Sequence, residues 1–281
     1  MERSVVSPSE NAESFVEIGF AKTNLTIVKE FVLGILGGAF IAFAAQGSNV
    51  AIHTIGSVGL SKTLAGALFA TGLMMVVVSG AELFTGNSLI VISCLQKKSK
   101  WVSMFRNWLF VYLGNFAGSL LIAYFVLHSG QLGFSEGLLG GYTIKIAAYK
   151  TGLSFESAFF MGILCNWLVC IAIWMASASK DIAGKILAIF FPIWLFITSG
   201  FEHSVANMYY IPAGILAKAN EEFAKAAISL GVSAEQIANL NWGTLFTKNL
   251  IPVTLGNIVG GAFFVGTIYW FVYLKKGKSA Q

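Results

Sequence analysis

Apolar residues run along this chain in six long stretches, and two of the six are interrupted by polar ones. Thr26 to Ala45, Met104 to Leu127, Phe155 to Ala178 and Thr247 to Leu274 read as membrane-spanning helices. The stretch from Thr63 to Leu95 differs. As one helix it would be about 50 Å long, against a hydrocarbon core of about 30 Å. Its middle reads SGAELFTGN, from Ser79 to Asn87. The stretch from Ile186 to Leu216 carries SGFEHSVAN in the same way. The pattern therefore predicts that spans two and five are broken at membrane depth. Broken backbone is tolerated there only inside protein or beside a wet cavity, so the breaks predict a pore.

Residues 9 to 24 place Ala12, Phe15, Val16, Gly19 and Phe20 on one helical face, with Glu10, Glu13 and Glu17 elsewhere. That predicts an amphipathic helix on the membrane surface, an anchor in the plain reading and a lid over a pore mouth in the sharper one. Between spans five and six, Ser233 and Gln236 read as a capping box opening a short surface helix. The basic residues Lys97, Lys98, Lys100 and Arg106, then Lys180 and Lys185, then Lys275, Lys276 and Lys278 fall on one side of a six-span chain. The positive-inside rule makes that side cytoplasmic, with both termini on it. The expected organisation is a cytoplasmic segment 1–25, a six-span domain 26–275 with halves 26–128 and 155–275, and a cytoplasmic tail 276–281. No signal peptide and no soluble domain are read.

The two halves repeat each other. Gly80, Glu82 and Asn87 match Gly200, Glu202 and Asn207 at the same internal spacing. Leu113-Gly114-Asn115 and Gly118 match Leu255-Gly256-Asn257 and Gly260, and Gly34-Ile35-Leu36 recurs as Gly162-Ile163-Leu164. Three spans per unit means that the units insert with opposite orientation. The second half of each broken span then starts near the midplane, as a helix N-terminus whose free N–H groups favour an anion.

Composition sharpens the class. With 56% hydrophobic and 11% charged residues the chain is too apolar for a soluble domain, and its net charge of +5 reads as membrane-flanking lysine rather than a nucleic-acid surface. Cys94, Cys165 and Cys170 lie in apolar segments without metal-ligand spacing and read as small hydrophobes, so no metal or cofactor is expected. Ionisable residues placed inside spans are candidates for function, here Glu82, Glu202 and His203. The glutamates read as supports of the breaks, each accepting hydrogen bonds from loose backbone N–H groups, together with Asn87 and Asn207. His203 reads as functional, since imidazole can supply a proton or a positive charge near neutral pH. Thr85 and Asn87 could donate to a solute or satisfy backbone, Lys150 could draw anions or simply flank its span, and Asn166 reads as a bond to another helix.

GAELFTGN (80 to 87), LGNFAGS (113 to 119), GILCNWLVCIAIWMA (162 to 176), SGFEHSVANM (199 to 208) and PVTLGNIVGG (252 to 261) together resemble the formate/nitrite transporter family. The resemblance implies an all-α membrane protein with an aquaporin-like fold, assembled as a homopentamer in a bacterial or archaeal inner membrane. Each protomer would carry its own pore for formate, nitrite, hydrosulfide or a similar monovalent anion. Carried over by position, the central pore pair resembles Thr85 and His203, the vestibule lysine Lys150, and the constrictions Phe69, Leu73, Leu83, Phe84 and Phe196. The expected function is an anion channel or transporter rather than an enzyme. The alternative is a channel for small neutral solutes, although paired Asn-Pro-Ala motifs are absent from the sequence.

Overall fold

The computed structural model describes residues 4–275; the tail at 276–281, with Lys276 and Lys278, lies outside the described residues. The helices are α1 (Pro8–Thr23), α2 (Ile27–Ile52), α3 (Val58–Ser79), α4 (Gly86–Leu95), α5 (Trp101–His128) and α6 (Leu138–Thr151). Then follow α7 (Phe155–Ala178), α8 (Ile182–Ser199), α9 (Ser204–Ala217), α10 (Glu221–Ser229), α11 (Ala234–Asn239) and α12 (Trp242–Tyr273). Helices α2, α3, α5, α7, α8 and α12 are each long and apolar enough to cross a membrane.

Spans two and five are broken as expected, but unequally. Helix α3 has 22 residues, about 33 Å, which is a full crossing by itself. Only the short α4 follows its break. Gly80 and Gly200 end the long pieces with φ of 80° and 76°, a left-handed turn that costs glycine nothing and strains other residues. The first span also runs past Ala45 to Ile52. Its polar end is buried in protein, where the Ser48 hydroxyl lies 2.8 Å from Ala44 O and 3.1 Å from Ala65 O.

Helix α1 does not lie on lipid with its apolar face. Ala12, Phe15 and Gly19 are buried in the protein, while Phe20 is exposed. The Phe15 ring stacks on Trp174 at 4.9 Å, and Asn11 Nδ2 donates to Trp174 O at 2.8 Å. The small residues on this face explain the change: a Cβ on Gly19 would stand 2.7 Å from Ser93 Cβ, so the helix seats on α4 at backbone range. The segment before it pairs with the turn after α7, Val6 N–H to Ala178 O and Lys180 N–H to Ser4 O.

Helix α6 is the element that the apolar pattern missed. Gly34 and Gly162 stand 128 positions apart (162 less 34), and the same offset carries Pro8–Thr23 onto 136–151. Helix α6 is therefore the repeat partner of α1. Each repeat opens with a short helix, and the two sit on opposite faces of the membrane, here called the α1 face and the α6 face. On the α6 face, α10 folds over α6 with Phe223 against Gly140, and the expected capping box at Ser233 and Gln236 opens α11.

Candidate functional site

The breaks are held by asparagines rather than by the glutamates. Asn115 on α5 accepts Phe84 N–H at 2.9 Å and donates to Gly34 O and Glu82 O at 2.7 and 2.9 Å. Asn257 on α12 repeats every contact: it accepts Ser204 N–H at 2.9 Å and donates to Gly162 O and Glu202 O at 2.7 and 3.0 Å. Each amide thus satisfies an unwound segment that its own helix no longer serves. Among the N–H groups expected to be open to an anion, those of Phe84, Ser204 and Ala206 are taken.

The glutamate carboxylates are committed to side chains instead. Glu82 accepts Lys22 Nζ at 2.6 Å and Asn87 Nδ2 at 2.6 Å, and Asn87 gives its other amide proton to Asn107 at 2.8 Å. Asn87 has no N–H left for a solute. Glu202 accepts Lys150 Nζ at 2.8 Å and Asn207 Nδ2 at 2.7 Å, while Asn207 donates to Asn249 at 2.6 Å. Lys150 therefore enters the site as half of an ion pair, with its ammonium 5.3 Å above the Tyr210 ring.

Thr85 and His203 come together from the two breaks, both buried, with Oγ1 and Nε2 2.9 Å apart. His203 is also the N-cap of α9, its Nδ1 accepting Ala206 N–H at 3.1 Å. In the neutral ring the proton consequently sits on Nε2 and is donated to Thr85 Oγ1. Thr85's own hydroxyl proton is then free to turn toward a third group. The Thr85 carbonyl is fixed from the opposite repeat by Asn166 Nδ2 at 3.1 Å, an interhelical bond of the kind expected of that residue.

Phe69, Leu73, Leu83 and Phe196 join His203 around a void of only about 10 Å³, room for at most one water. Phe69 and Phe196 meet edge to face at 5.8 Å across it. Phe84 stands apart, buried against Tyr112 and Trp108. On the α1 face a wider cavity of about 280 Å³ reaches Leu83 and is walled by Phe15, Lys22, Glu82, Asn87 and Lys185 among others.

Two groups escaped the reading of the sequence. Lys22 follows the repeat offset onto Lys150 (150 less 22 is again 128), so that offset was the available signal. Glu30, inside span one and fully buried, pairs with Arg106 at 2.7 Å, and Arg106 also donates to Thr23 O and Leu25 O at the end of α1.

Opposed broken spans enclosing a buried polar pair beside an apolar-lined void define a polytopic membrane protein of the channel and transporter class. The family profile described as Formate/nitrite transporter matches residues 9–271. The chain belongs to the formate/nitrite transporter family. It is 38% identical to a probable formate transporter of Methanothermobacter thermautotrophicus, covering 98% of this chain and 100% of that one. It is 37% identical to the formate channel FocA of Escherichia coli K12, over 96% and 95% of the two chains. A solved pentameric formate channel with formate bound superposes with a TM-score of 0.78 at 37% identity, covering 89% of this chain and 98% of that one.

Proposed function

We propose that each protomer passes small monovalent anions, formate foremost among formate, nitrite and hydrosulfide, and performs no catalysis. The observation that carries this reading is the buried Thr85–His203 hydrogen bond beside an apolar void. An ion entering that void loses its water, at a cost of many kcal/mol unless new donors replace it or a proton neutralises it. With Nε2–H already on Thr85 Oγ1, the Thr85 hydroxyl proton is left as a donor to an anion. A proton reaching the anion at this point lets it cross the constriction as the neutral acid. Phe69, Leu73, Leu83 and Phe196 set the bore, Phe84 backs Leu83, and Lys150 shapes the field of the α6-face vestibule.

The relatives support formate as substrate and a homopentamer as assembly, with one pore per protomer. The lysines 97, 98 and 100 beside the α1 face support an inner-membrane protein with that face and both termini cytoplasmic. In this arrangement 1–25 is a cytoplasmic segment whose Phe15, Ile18, Gly19 and Lys22 wall the wider cavity, and 26–275 is the channel domain. The test is flux of formate, nitrite and hydrosulfide into proteoliposomes between about pH 5 and 8. His203→Ala is expected to change the pH profile steeply and Thr85→Val to lower flux throughout. Profiles that superpose on the parent's would refute the role given to the pair, and swelling in glycerol without anion flux would replace the reading by a neutral-solute channel.

A further inference from the structure

The wider cavity on the α1 face carries a charge that the ion pairs leave over. Three charged side chains line it, Lys22, Glu82 and Lys185. Lys22 and Glu82 neutralise each other at 2.6 Å. Lys185, half-buried in the first turn of α8, makes no ion pair within 4 Å among the described residues. The acid nearest to it along the helix, Asp181 one turn earlier, is tied down as the N-cap of α8, accepting Gly184 N–H at 2.7 Å and the Ser179 hydroxyl at 3.3 Å. Among the described residues the cavity therefore holds one positive charge without a paired acid, borne by Lys185.

Size points the same way. A cavity of about 280 Å³ has room for a cluster of waters, whereas the void of about 10 Å³ beside His203 holds one at most. A small anion fits the first space with part of its hydration shell and the second only without it. The charge is not copied position for position: the break offset of 120 (200 less 80) takes Lys185 back to Ala65 on α3, and at the other break it is Lys62, three residues earlier, whose ammonium stands beside Gly200.

Resting on the anion-conducting reading above, we propose that Lys185 makes this cavity a capture site for one partly hydrated monovalent anion, small carboxylates included, ahead of the constriction. Lys22, held by Glu82, is not the capturing cation.

The test is the initial rate of formate flux in oriented proteoliposomes with formate added on the α1 face, in low salt. For Lys185→Gln, KM is expected to rise about three- to tenfold with the saturated rate unchanged. The difference should vanish when an impermeant salt brings the ionic strength to about 0.5 M, where charges are screened within a few ångströms. Lys185→Arg should restore the parent KM. Lys100→Gln, which removes a charge on the same side outside the cavity, should leave KM alone. An unchanged KM in Lys185→Gln would overturn the capture site, as would an equal loss at every formate concentration and salt, or the same shift from Lys100→Gln. Absence of anion flux in the parent itself would instead bring down the functional reading and this site with it.

Discussion

The two faces of the molecule carry the same set of parts in different surroundings. Lys22, Glu82, Asn87 and Asn107 on the α1 face correspond to Lys150, Glu202, Asn207 and Asn249 on the α6 face. The lysine and glutamate of the first pair keep 27% and 7% of their surface, those of the second only 12% and 1%. The second lysine is further covered by Tyr210, and the bond to its carbonyl is shorter, Asn249 Nδ2 to Lys150 O at 3.0 Å against Asn107 Nδ2 to Lys22 O at 3.4 Å. The first pair opens on a cavity. Duplication supplied the hydrogen-bonding pattern, and packing then decided which copy stayed wet. A buried pair is costly to break and an open one cheap, so equal chemistry carries unequal weight.

The comparison can be broken most directly at Glu202. Glu202→Gln leaves Lys150 buried and uncompensated, with an expected loss of about 3 kcal/mol. It should appear as a lowered Tm in detergent whatever the effect on flux. Removing the asparagine supports should be next and equal on the two sides. Asn115→Ala and Asn257→Ala each orphan one buried N–H and one carbonyl of the break, at an expected cost of about 2 kcal/mol per substitution, and unequal losses would show that the repeats do not share their mechanics. Glu82→Gln is expected to cost less, about 1 kcal/mol after solvent screening. A penalty there matching that of Glu202→Gln would erase the distinction between sealed and open pairs. The smallest effect concerns pH. Asp181, its carboxyl held below the ordinary range by the N–H of Gly184 and the Ser179 hydroxyl, caps α8, whereas the corresponding long helix α3 is capped by Ser57, which does not titrate. The contribution of Asp181 is present above the usual carboxylate range, near pH 4, and fades as the pH falls through its lowered value. Thermal melts on the acid side should therefore show a slight loss in the parent that is missing from Asp181→Asn.

Much of this was legible in the residues. Equal spacing in GAELFTGN and GFEHSVAN located both breaks, because a glycine turn and a carboxylate–asparagine pair need fixed separations along the chain. The asparagines at 115 and 257 matched in the repeat, yet their role depends on partners 31 and 53 positions away and could not be read locally. The face of α1 was legible as apolar, but whether lipid or protein would cover it turned on Trp174, which lies in the other repeat. Helix α6 escaped notice because 14 residues interrupted by Lys145 and Lys150 show too little hydrophobic contrast to stand out.

The stacking of Phe15 on Trp174 also governs how the protein can be made. The first quarter of the gene product clasps a helix translated much later, and the Thr85 carbonyl waits for an amide supplied by Asn166. A polypeptide severed in the loop between α5 and α6 should therefore mature only when both fragments are synthesised into the same bilayer, each acting as the other's chaperone.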